Sequence, residues 1–114
     1  MQELCAYVAS ALRKPLPPAV TEKTKHHLLD TLAAMISGSR LLPGRTAISY
    51  VKTLGGAKQA CVIGTRCVTT AVNAALANGM LAHADETDDS HAPSLCLPGC
   101  AIVHALVTAW WEAT

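Results

Sequence analysis

Ala71-Val72-Asn73-Ala74-Ala75-Leu76-Ala77-Asn78-Gly79-Met80-Leu81-Ala82-His83-Ala84 is the stretch whose reading decides the fold. No Asp, Glu, Lys or Arg interrupts it, and Thr69 or Thr70 just ahead offers a hydroxyl to cap a helix N-terminus. Asn78-Gly79 ordinarily marks a turn, but the helical pattern resumes at once with Met80, Leu81 and Ala82. Ala71, Ala74, Ala75, Asn78, Gly79 and Ala82 are small, so a second backbone can lie close. We read a helix with a tight packing point, the fourth of about five in an all-α helical bundle.

Directly after it comes His83-Ala84-Asp85-Glu86-Thr87-Asp88-Asp89-Ser90-His91-Ala92-Pro93-Ser94. Four of the chain's eight acidic residues fall within five positions here, flanked by two histidines and by apolar helical sequence. A loop held between packed helices can present paired carboxylates, a hydroxyl and an imidazole to one small space, the raw material of proton transfer. Pro98-Gly99 then opens a fifth helix. Ile102, Ala105, Leu106, Ala109 and Trp110 share one face of it, and Val103, Val107 and Trp111 another. A helix apolar on two sides needs cover on two sides. The bundle therefore reads as unfinished, and self-association or a larger partner is expected to complete it.

Working back toward the N-terminus, residues 2–13 read as a short helix with Leu4, Cys5, Val8, Ala11 and Leu12 on one side. Pro15, Pro17 and Pro18 stop it and start the next, because proline suits a first helical turn and resists an interior. The longest helix covers residues 18–37. Its apolar stripe is Val20, Thr24, Leu28, Thr31, Leu32 and Met35, its wet side Glu22, Lys23, Lys25 and His26, and its left-handed stop Gly38. His26 and His27 read as surface and flank residues. Asp30, alone among leucines and threonine, is expected at the edge of the buried face or bound to a neighbouring helix end. After a loop through Leu42-Pro43-Gly44, a third helix covers residues 45–54 and ends at Gly55-Gly56. Residues 59–64 form an extended segment too isolated to establish a sheet.

The totals bound the function. At 114 residues the chain reads as one domain with a modest core. Apolar residues make up 51% with no Phe, so that core is aliphatic; mean hydropathy is +0.30. No run approaches the ~18 apolar residues of a membrane span, and Met1-Gln2-Glu3-Leu4-Cys5 does not resemble a signal peptide; a cytoplasmic protein is expected. All nine basic residues lie at or before Arg66, whereas five of the eight acids follow it. The cations are scattered and no aromatic residues interleave them, which argues for a solvated basic face and against nucleic-acid binding. Cys5, Cys61, Cys67, Cys96 and Cys100 contain no C-x-x-C pair and read as free buried thiols.

Several motifs in order then resemble the N-terminal part of the MmgE/PrpD family, which includes 2-methylcitrate dehydratase, cis-aconitate decarboxylase and iminodisuccinate epimerase. They are Leu28-Leu29-Asp30-Thr31-Leu32-Ala33 through Gly38, Gly55-Gly56 leading to Ala60-Cys61-Val62-Ile63-Gly64, and Ala75-Leu76-Ala77-Asn78-Gly79 before His83-Ala84. Asp88-Asp89-Ser90-His91 with Pro93-Ser94 follows, close to the family's D-D-T-H segment. The resemblance implies the first part of an all-helical domain in an enzyme that rearranges small di- and tricarboxylates by moving a proton, without metal or organic cofactor. It implies Glu86, Ser90 and His91 as catalytic candidates and Asp88, Asp89 and Ser94 as substrate-binding ones. Glu86 stands where Asp is commoner, and Ser90 replaces Thr and keeps the hydroxyl. Leu97 stands where the family usually shows histidine before Pro-Gly, and leucine transfers no proton. His91 matches the histidine of D-D-T-H itself, so it is not simply a substitute for the one missing at Leu97.

Two other readings of the polar stretch stay open. Asp88, Asp89 and Ser90 are also good caps for free backbone N–H groups. His83, Asp85, Asp88 and His91 contain metal-ligand chemistry without a recognised spacing. The sequence thus carries three functions: part of a proton-transferring lyase or isomerase, a non-catalytic relative used in assembly or regulation, or a small metal-binding module. Four neighbouring carboxylates repel a polyanionic substrate. The enzyme reading therefore requires cations from outside this stretch.

Overall fold

A computed structural model describes residues 1–11, 13–87, 90–93, 96–99, 102 and 103. Among them the order is α1 (Gln2–Ala11), α2 (Pro18–Gly38), α3 (Leu42–Leu54), β1 (Ala60–Cys61), β2 (Val68–Thr69) and α4 (Ala71–His83). The mostly helical architecture agrees with expectation. Among the described residues there are four complete helices, where about five were expected, and a small two-stranded sheet that was not expected. Residues 98, 99, 102 and 103 are helical, and the rest of the anticipated fifth helix lies outside the described residues.

α4 is the hub. It packs against α2, α3 and both strands. Thr70 caps it, its hydroxyl accepting from Asn73 N at 3.2 Å, while Gln59 Oε1 accepts from Ala71 N at 3.2 Å. Two donors that a helix start would leave orphaned are thereby satisfied. Ala74, Ala77, Asn78, Leu81 and Ala82 form its buried face. Met35 from α2, Ile48 and Val51 from α3, Ala60 and Val62 from the hairpin, and Val103 complete the core around it. Among the described residues this core is aliphatic, as expected.

Small residues let three helix ends meet. A Cβ on Gly38 would collide with the Leu81 carbonyl and crowd Ala84, and one on Gly44 would collide with the Gly38 carbonyl and the Leu81 side chain. Gly38 is therefore a buried helical residue. It does not terminate α2 in a left-handed conformation; the helix ends at Ser39, which stays right-handed. Leu42-Pro43-Gly44, expected as a loop, is instead the first turn of α3. Proline tolerates that position because its missing N–H is not needed there. Met35 O accepts from Ser39 N, Ser37 O from Arg40 N and Gly38 O from Leu41 N, all near 3.0 Å, so α2 passes into α3 with almost no linker.

The extended segment finds a partner after all. Ala60 pairs with Thr69 and Cys61 with Val68, antiparallel, and Val62 N donates to Cys67 O at 2.9 Å. Gly64 turns the chain at φ +73°. So short a ladder is marginal alone. The Asn78 side chain reinforces it from α4, accepting from Ile63 N at 2.9 Å and donating to Cys61 O at 3.2 Å.

Other expectations need correction. The α2 stripe is buried or half-buried from Leu28 onward, but Val20 and Thr24 are exposed. α1 buries none of its residues, and Leu4, Cys5 and Val8 face solvent; Leu12 lies outside the described residues. Asp30 is exposed and bonds to no described residue, so it holds no neighbouring helix end; it stands beside the buried Thr31 and Ala34 of α2. Cys5, Cys61, Cys67 and Cys96 form no disulfide, as expected, but none is buried; Cys5 and Cys96 are exposed and the other two half-buried, while Cys100 lies outside the described residues. His26 and His27 lie on the surface. Glu22 and Lys25 form an exposed ion pair at 2.7 Å on the wet side of α2. Among the described residues no helix is long and apolar enough to cross a membrane.

Candidate active site

The polar bend begins where α4 ends. Ala84 N donates to Leu81 O at 3.3 Å and Glu86 N to His83 O at 3.3 Å, so the chain winds through one loosened turn before leaving the helix. This turn lies against the close crossing of α2 and α4, since Ala84 neighbours Gly38. The helix ends thus set the place where the bend begins.

Asp85 anchors it. Its Oδ1 accepts from the Thr87 hydroxyl at 2.7 Å and, more weakly, from Thr87 N at 3.4 Å. The Thr87 hydroxyl, and after it the Ser37 hydroxyl on the last turn of α2, hold the carboxyl below the usual range; partial burial opposes them and is outweighed. Between the two bonded residues sits Glu86, which adopts φ +55°, the one non-glycine with positive φ among the described residues. That conformation costs a residue with a Cβ about 1–2 kcal/mol. The paired bonds from Thr87 to Asp85 close the turn around it and offset part of the cost. Glu86 itself is exposed.

Ser90 and His91 follow, both exposed. His91 N donates to Cys96 O at 2.9 Å, forming an isolated antiparallel bridge that pins the backbone on either side of the Ala92-Pro93 turn. Asp88, Asp89 and Ser94 lie outside the described residues. Leu97 is half-buried between the bridge and the helical residues 98 and 99. Glu86, Ser90 and His91 are thus each exposed on the surface.

Charge around the bend is one-sided. Among the described residues the ion pair is that of Lys25 with Glu22, and no cation closes on Asp85 or Glu86. No group of three or more His, Cys, Asp or Glu among them converges on a point that would hold a metal ion; of the metal candidates, Asp88 falls outside that set. The part played by Asp85 and Thr87 went unread in the sequence. Its signal is the Asp-x-Thr spacing, which lets a carboxylate accept from the backbone and hydroxyl two residues on.

A mostly helical domain, knitted around one small-residue helix that ends in an acid-rich bend, is the class that fold and site define. The chain belongs to the MmgE/PrpD family: the model of the MmgE/PrpD N-terminal domain matches residues 2–113. No curated protein and no solved structure matches the chain.

Proposed function

We propose that this chain contributes one wall of the active site of an MmgE/PrpD-type lyase or isomerase that moves a proton next to a carboxylate of a small di- or tricarboxylate. In this reading residues 1–114 form one helical domain, part of a larger one. Glu86 and His91 exchange protons with the substrate, and the Ser90 hydroxyl hydrogen-bonds to it. Asp88, Asp89 and Ser94 line the substrate's berth, and neither metal nor organic cofactor takes part. A second copy or a larger partner supplies the cations that hold the substrate's carboxylates. Carboxylate and imidazole suit such work because one accepts a proton readily and the other titrates near neutrality.

The observation that carries this reading is Glu86, exposed in a left-handed conformation that the Asp85–Thr87 bonds brace. Structure held at an unfavourable backbone angle in a polar bend points to a site more than to a passive connection. The test mixes the chain with a candidate larger partner and follows solvent-deuterium exchange into cis-aconitate and 2-methylcitrate. Exchange that requires both chains and is lost in Glu86→Gln supports the reading; exchange unchanged in Glu86→Gln overturns it. Leu97→His alone is expected to yield no turnover in the isolated chain, because the missing cations are not restored by one imidazole. Measurable turnover by that variant would refute the need for other segments.

Leu97 itself favours a second reading, a non-catalytic relative serving assembly or regulation. Stable self-association without any binding of small polycarboxylates, followed by calorimetry, distinguishes it from the first.

A further inference from the structure

We draw no further inference here: the strongest candidate, the exposed apolar stripe that Val72, Leu76 and Met80 present along the outer side of α4, carries nothing because the structure does not show what covers it.

Discussion

Asn78 shows how much one side chain decides. Its amide is fully buried and satisfies one N–H and one C=O of the hairpin, joining helix to sheet where neither sheet nor side-chain packing is extensive. Asn78→Ala leaves both partly buried backbone groups without this partner, and a loss of about 1–3 kcal/mol is expected in urea unfolding. A loss under about 0.5 kcal/mol would mean water reaches those groups. Asp85 acts through charge. Its carboxyl is held below the ordinary value, so the folded state prefers the ionised form. The resulting stability is present above about pH 4, the unfolded value, and disappears as pH falls through the lower folded value. The stability gap between the wild type and Asp85→Asn should therefore narrow as pH is lowered from about 6 to below about 4. A gap independent of pH would show that the interaction does not depend on the charge.

Among elements, the crossing of α2, α3 and α4 is where backbone proximity replaces side-chain volume. Gly38→Ala makes a sharp test because two effects have opposite signs. Alanine is favoured over glycine in a right-handed helix by up to about 1 kcal/mol, less at the last residue of α2, so without a clash the variant gains a little stability. With the Leu81 carbonyl in the way, the helices must separate, and a net loss of roughly 2–3 kcal/mol is expected. Thermal unfolding of the purified variant reads the sign directly. The same crossing carries the bend after α4, so misfit at Gly38 is felt at Ala84 and, through it, at Asp85. α1 stands at the other extreme. It is helical by local pattern and proline boundaries, yet its apolar side finds no cover among the described residues.

At the scale of the whole molecule the surface is unbalanced. Val72 is 78% exposed and Leu76 and Met80 nearly half, while Leu29 and Ile36 on α2 also face solvent. α4 is thus apolar on its outer side as well as its inner one. Each such side chain, if covered, contributes about 1–3 kcal/mol, enough together to drive association. We expect the purified chain to sediment as an oligomer at tens of micromolar, and Leu76→Glu to shift it toward monomer. A wild-type monomer at those concentrations would remove the argument from exposed area. The expectation drawn from the sequence placed this surface on the last helix; the structure places one on α4.

Some of this could be read residue by residue. Thr70, the prolines before α2, the aliphatic core and the helicity of Asn78-Gly79 follow from local rules, because capping, ring geometry and hydrophobic periodicity act within a turn or two of chain. The acid-rich bend stood out by composition, and the order of its motifs gave the family. Tertiary contact decided the rest. Gly38 is a packing residue and not a stop because Leu81, 43 positions away in sequence, lies against it. Residues 60–61 became a strand because Asn78 and Val68–Thr69 were brought to them. Glu86 took its unusual backbone angle inside a turn closed by Asp85 and Thr87 and set against the end of α2. Sequence patterning selects which elements form, since it acts locally. Only the folded arrangement determines which backbones touch, and with so many small residues here, those touches fix where Asp85 and Glu86 sit.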